Sequence, residues 1–214
     1  MCSANANVVP IIGYYILDLL VRPKLLADVR AEISAATDVT KSGYAALNMS
    51  SLLSNPLLQS IWSEELRLRV SVMILRAPVF SDFKIRSWLF PKGENIVASS
   101  WHEQRDRNVW NEGATGERSV DEFWPERFLV FPNDPYSGPG KTTAVKGAKE
   151  EKPFYTTEGV NGSFIPFGGG SHICSGRFYA KAEAFGAIAM LLNKFDVELL
   201  DKNVKKINEL VFPF

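Results

Sequence analysis

Phe167-Gly168-Gly169-Gly170-Ser171-His172-Ile173-Cys174-Ser175-Gly176 is the stretch on which the reading of this chain turns. Three consecutive glycines remove side-chain bulk and permit positive φ, so a flat ligand can come close to the backbone. Cys174 stands just ahead of a helix expected from about Ser175 to Asn193, where free N–H groups and the helix dipole favour an anionic sulfur. Gly176 keeps the first helical turn slim beside that sulfur. The pattern suits a thiolate metal ligand; the plainer alternative is a glycine-rich turn before a buried cysteine. Other chemistries fail on the residues. A cysteine phosphatase needs arginine six positions on, and that residue is Ala180. A serine-hydrolase elbow at Ser171 has Gly169 before it but Ile173 after it. In a dinucleotide fingerprint, Gly168 and Gly170 would be followed by glycine where Ile173 stands. His172 and Cys174 are too few for a closely spaced zinc site.

Two further features lie upstream. Glu64-Glu65-Leu66-Arg67 puts Glu64 and Arg67 three apart on one helical face, where they can pair. Phe123-Trp124-Pro125-Glu126-Arg127-Phe128 reads by itself as a loop with aromatic anchors and surface charges. Around them, apolar periodicity predicts helices over Val8–Leu20, Lys24–Ala36 and Pro56–Val70. A turn is expected at Lys41–Gly43. Short β-branched or aromatic runs over Val70–Ile74, Phe80–Ile85 and Ile96–Ser99, around the turn Pro91-Lys92-Gly93, predict a small antiparallel sheet. Pro132–Lys152 is rich in glycine, lysine, proline and threonine, and residues 132–163 are expected to form a mobile loop. A closing strand is expected over Phe195–Leu200. The fold class is therefore mainly α with a small antiparallel β-sheet.

The chain has 214 residues, 46% apolar and 22% charged, enough for one domain with a real core. Its 24 basic and 24 acidic side chains balance, which gives no electrostatic argument for nucleic acid or an acidic membrane surface. The two cysteines, Cys2 and Cys174, form no secreted framework. No signal peptide is visible at Met1–Ala6, and the apolar run Val8–Val21, broken by Pro10, Gly13 and Asp18, is too short for a bilayer span. A helix so apolar needs protein on every side, so its exposed face would favour aggregation.

Taken jointly and in this order, E-x-x-R, P-E-R-F and F-x-x-G-x-x-x-C-x-G resemble the cytochrome P450 family. Arg67 and Arg127 are 60 residues apart, and Arg127 and Cys174 are 47 apart, which fits that family's layout. The resemblance runs from Ala4 to about Leu200, and it implies the C-terminal, haem-binding half of a single domain, 1–214, without the N-terminal half.

By that likeness, the cofactor is haem b, with Cys174 as the thiolate ligand on iron and Phe167 against the haem near the sulfur. Gly168, Gly170 and Gly176 allow its close approach, and His172 and Arg76 face its propionates. Glu64, Arg67 and Arg127 form a buried charged triad that holds the loop before the cysteine. The first helix resembles the part of the family's long central helix that crosses the oxygen side. Where the family often has an acid and then a threonine, this chain has Ala6 and Asn7; Asn7 can orient water but cannot act as an acid. That departure, with Gln104-Arg105-Asp106, is similar to the sterol 7α-hydroxylase and prostacyclin synthase subgroup. The implied activity is monooxygenation of an apolar, lipid-like or secondary-metabolite substrate, with electrons from NADPH-cytochrome P450 reductase at the cytoplasmic face of the endoplasmic reticulum. The alternatives are a peroxide-rearranging isomerase and a non-catalytic haem-binding fragment.

Overall fold

A computed structural model describes residues 3–39, 45–141 and 151–200. Helix α1 (Ser3–Leu20) opens the chain and starts earlier than the apolar run suggests, with Pro10 on an exposed side. Pro23 sits in the first turn of α2 (Pro23–Ala35), where its missing N–H costs nothing. The apolar stripe of α2 is buried through Leu25, Val29 and Ile33. A small ladder follows, β1 (Thr37–Val39) with β2 (Ala45–Leu47), and then a short helix α3 (Met49–Ser54). The expected turn at Lys41–Gly43 lies outside the described residues.

Asn55 caps α4 (Pro56–Arg69), its side chain accepting from Leu58 N at 3.0 Å. From Ser60 to Leu68 every residue of α4 is buried, the polar and charged ones included. A helix buried on all sides must satisfy its charges inside the protein.

The expected sheet is two separate antiparallel ladders. One pairs β3 (Met73–Arg76) with β6 (Ile96–Ser99); the other is a hairpin of β4 (Phe83–Ile85) and β5 (Trp88–Phe90). Val70–Val72 is not strand: it leaves α4 and runs past Ser100, which opens the short helix α5 (Ser100–Glu103), with Val72 N donating to Ser100 Oγ at 2.8 Å. The segment 132–163 departs from an unpatterned loop. Its β8 (Phe154–Tyr155) pairs with β7 (Leu129–Val130), and a bridge joins Trp110 to Gly140. Residues 142–150 lie outside the described part. The long last helix, α6, is Arg177–Lys194. Phe195–Leu200, expected as a strand, forms no ladder among the described residues.

The main core joins α1, α2, α4 and α6 through Tyr15, Leu19, Val29, Ile61, Leu66, Ile188 and Leu192. Each such side chain contributes roughly 1.5–3 kcal/mol on burial. A second cluster, Trp110, Val120, Phe128 and Val160, anchors the irregular segment. Trp110 meets Phe128 and Phe164 edge-on at 5.7 and 6.1 Å and donates from Nε1 to Glu103 O at 2.8 Å. The face of α1 is partly covered: Val8, Ile11 and Tyr15 are buried, whereas Val9 is 62% exposed. Among the described residues no helix is long and apolar enough to cross a membrane.

Candidate cofactor site

Between the two cores lies the buried charge cluster. Glu64 accepts four hydrogen bonds: from Arg67 Nε (2.7 Å), Arg67 Nη2 (2.9 Å), Arg127 Nε (3.0 Å) and Trp124 N (3.1 Å). All three charged side chains are fully buried. The guanidiniums spend their other donors on backbone carbonyls. Arg67 reaches Gln104 O at 2.8 Å and Val120 O at 2.7 Å. Arg127 reaches Asn111 O, Ser119 O (2.9 Å) and Glu122 O (3.3 Å). Burial alone would raise the Glu64 carboxyl, but the charges of Arg127 and Arg67 and their hydrogen bonds outweigh it and hold it below the usual carboxylate range. Burial lowers the Arg127 guanidinium, with Glu64 opposing that shift. The cluster thus ties α4 to the irregular segment at 104–127.

Sequence reasoning missed part of this network. Gln104 is buried and donates from Nε2 to Arg67 O (3.0 Å) and Val70 O (2.7 Å), pinning the exit of α4. Arg105 stacks on Trp101 at 3.4 Å and donates to Leu68 O at 2.7 Å. Burial, then the nearby Arg67 charge, pushes the Arg105 guanidinium down to about 10.

The cysteine loop meets the segment that leaves α4: a Cβ at Gly168 would lie 3.9 Å from Val72 Cγ1. Gly168 and Gly170 have φ of 72° and 66°, values that L side chains rarely adopt. Gly169 between them is extended, and a short 3-10 turn covers Gly170–His172. Cys174 N donates to Phe167 O at 3.0 Å, which folds the loop back on itself and brings Phe167 beside the cysteine. Cys174 is an exposed free thiol, three residues before α6 begins at Arg177, so the helix starts two residues later than the pattern suggests. Arg177 Nη1 donates to Cys174 O at 3.0 Å. An added Cβ at Gly176 would meet Cys174 Sγ at 3.9 Å, so the glycine leaves the sulfur open on that side.

Asn7, Phe167, Cys174 and Gly176 border one cavity of about 990 Å³. Helix α1 supplies one wall, through Asn7, Val8, Ile11 and Leu17; Val70–Val72 and the cysteine loop supply the facing wall. Arg76 stands outside this lining, yet its Nη2 donates to Gly169 O at 3.1 Å, which ties β3 to the cysteine loop. His172 is exposed, its Nδ1 3.0 Å from Ser171 Oγ.

The donor set fits one kind of group. Among the described residues no cluster of three or more His, Cys, Asp or Glu could hold a bare ion. A single cysteine sulfur bordering a largely apolar slot, beside glycine backbone, fits a metal whose remaining ligands come from its own flat macrocycle.

A mainly helical body, small antiparallel ladders, a buried Glu–Arg–Arg cluster and a glycine-flanked cysteine define the haem-thiolate class of fold. The chain belongs to the cytochrome P450 family, whose profile matches residues 10–213. It is 36% identical over 221 residues to the cytochrome P450 monooxygenase efuG of Hormonema carpetanum, covering 100% of this chain and 39% of that protein. It is 36% identical over 218 residues to the cytochrome P450 monooxygenase fsoE of Humicola fuscoatra, covering 99% and 38%. The solved cytochrome P450DA heme domain shares the fold, with a TM-score of 0.59 at 21% identity over 87% of this chain and 34% of that one. The chain therefore spans about two fifths of the length of these curated relatives.

Proposed function

We propose that this chain carries the thiolate side of a haem monooxygenase, with Cys174 as the iron ligand and haem b as the cofactor. The observation that carries the reading is the position of Cys174: an exposed free thiol bordering the cavity, on a loop held by Phe167, Arg76 and the glycine geometry. Phe167 packs beside the sulfur, Gly168, Gly170 and Gly176 leave room for the macrocycle, and Arg76 and His172 supply hydrogen-bond donors for its propionates. Glu64, Arg67 and Arg127 act as architecture, holding the segment that backs the loop. When bound, haem supplies the iron that activates oxygen, and thiolate ligation favours O–O cleavage. Asn7, on the opposite wall, orients water rather than acting as an acid.

The substrate is an apolar small molecule, a reading supported by the aliphatic lining from α1. Electrons come from NADPH-cytochrome P450 reductase, and the protein acts at the cytoplasmic face of the endoplasmic reticulum. Ala6 and Asn7 in place of an acid and a threonine support a second reading, the peroxide-rearranging chemistry of the subgroup resembling prostacyclin synthase. The relatives named as monooxygenases favour the first.

The test is the absorption spectrum of the purified chain with haem, reduced and exposed to carbon monoxide. A thiolate-type shift of the main haem band, lost in Cys174→Ala with helix content unchanged, is expected. A shifted band that survives in Cys174→Ala would overturn the ligand assignment. Turnover of a lipid peroxide with no reductase present would decide for the second reading.

A further inference from the structure

Glu64 and Glu65 are adjacent, equally buried and oppositely served. Glu64 collects four donors. Neither oxygen of Glu65 receives a hydrogen bond, although the side chain is wholly enclosed. Its nearest cation, Arg69 Nε, stands 3.5 Å from Oε2, beyond good hydrogen-bond geometry for a charged pair. Arg69 is engaged elsewhere: Nη2 donates to Asp18 Oδ2 at 3.2 Å and the guanidinium lies over Tyr14 at 4.8 Å. Asp18, on α1, is itself 2% exposed and also takes Arg22. Arg69 thus reaches both acids, Asp18 Oδ2 at 3.2 Å and Glu65 Oε2 at 3.5 Å, which sets the two carboxyls side by side on one guanidinium.

A buried carboxylate without donors is costly, and two carboxylates facing each other cost more. One proton removes both problems, because an O–H on Glu65 donates to the Asp18 carboxylate, which keeps its two guanidiniums. We propose that Glu65 carries a proton at neutral pH, donated to the Asp18 carboxylate, and that this O–H···O bond is a proton-dependent joint between α1 and α4. Ionisation sends the proton to solvent and leaves two negative groups between the helices. Tyr14, Leu17 and Arg69 line the cavity beside this joint, so its state bears on the cavity wall. The inference does not depend on the haem reading.

The groups around Glu65 agree. From α1 it faces Asp18 and Tyr15, whose phenol is raised by burial and then by the Glu65 charge. From α4 itself come Arg69 and Glu64. Helix α3 and strand β7 contain no titratable side chain, and Tyr155 of β8 is bonded to Ser63 at 2.8 Å. Burial, then Asp18, raises the Glu65 carboxyl well above its ordinary range, with Arg69 opposing. A folded-state value above the unfolded one means that the folded chain holds the extra proton. The stabilisation is complete below the ordinary carboxylate range and is lost as pH rises toward the folded value.

The experiment uses the 214-residue chain, its Glu65→Gln variant and its Asp18→Asn variant. Infrared spectra in water and deuterium oxide report protonated carboxyls, and urea unfolding is followed across pH. Wild type should show a buried protonated-carboxyl band at neutral pH that Glu65→Gln lacks. The folding constant of wild type should fall about tenfold per pH unit, relative to Glu65→Gln, across the window between the unfolded and folded values. Asp18→Asn should move the loss of the band to lower pH, because the facing charge is gone. No band in wild type, a band that persists in Glu65→Gln, parallel pH profiles, or an Asp18→Asn transition at the wild-type pH would each overturn the joint. So would failure of Glu65→Gln to fold, because glutamine reproduces the neutral donor.

Discussion

Replacing Glu64 with glutamine exchanges one oxygen for an NH2 and removes one charge at nearly constant volume. Oε1 accepts from Arg67 Nη2, Arg127 Nε and Trp124 N at 2.9, 3.0 and 3.1 Å, and Oε2 accepts from Arg67 Nε at 2.7 Å. With its oxygen at the Oε1 position, glutamine keeps three donors and sets its own NH2 against Arg67 Nε. Flipped, it keeps one and opposes three. In either orientation two fully buried guanidiniums lose the carboxylate with which they pair. Breaking a buried pair from one side costs about 3–5 kcal/mol. For a chain of this size that corresponds to a melting temperature lower by roughly 6–20 °C. The loss has a pH signature. Because the Glu64 carboxyl is held below the usual range, its contribution is present above that range and disappears as pH falls through the lowered folded value. Wild type and Glu64→Gln should therefore differ at neutral pH and converge in acid. Urea unfolding followed by circular dichroism at both pH values measures this. A difference below about 1 kcal/mol at neutral pH would refute the reasoning, placing the pair among those worth no more than exposed ones. So would a difference that does not shrink in acid.

The cysteine loop makes a sharper internal comparison. Gly168→Ala and Gly170→Ala, at φ of 72° and 66°, should each cost about 1–2 kcal/mol in unfolding free energy. Gly169→Ala, extended and with nothing within 4 Å of the new methyl, should stay within about 0.5 kcal/mol of wild type; equal costs at all three positions would contradict this account. Asn111→Ala removes donors to Tyr136 O (2.6 Å) and Gly138 O (2.7 Å), at about 1–3 kcal/mol for the carbonyls left unpaired. Amide exchange at Lys141, whose N–H bonds to Val109 O at 2.9 Å, should quicken, and unchanged exchange there would show that the segment does not depend on Asn111.

How much of this is legible in the sequence follows from where each signal resides. The helices α1, α2, α4 and α6 are readable because apolar side chains repeat at helical spacing on faces that the core then covers. The association of Glu64, Arg67 and Arg127 comes from three short motifs in order, and the structure brings both guanidiniums within 3.0 Å of the Glu64 carboxylate. What escapes is structure whose partners are backbone atoms. Gln104 grips the carbonyls of Arg67 and Val70 at the exit of α4, and nothing in its neighbours announces that. The β8 strand is two residues long and takes its identity from Leu129–Val130, far away in sequence. Phe195–Leu200 looks like a strand by composition, but composition does not name a pairing partner, and none lies among the described residues.

The adjacent acids of α4 carry the point furthest. Successive residues on a helix are turned by about 100°, so Glu64 and Glu65 cannot face the same surroundings. Glu64 looks into the 104–127 segment, where arginines arrive from two places in the sequence. Glu65 looks toward α1, where it meets an aspartate whose guanidinium partners are already committed. One residue type, one helix and equal burial thus give opposite shifts, down for Glu64 and up for Glu65. Burial sets the cost of either charge, and the donors within reach decide whether the charge persists. The first acid can therefore serve as a fixed anchor between α4 and the 104–127 segment, while the second is free to change its protonation without disturbing that anchor.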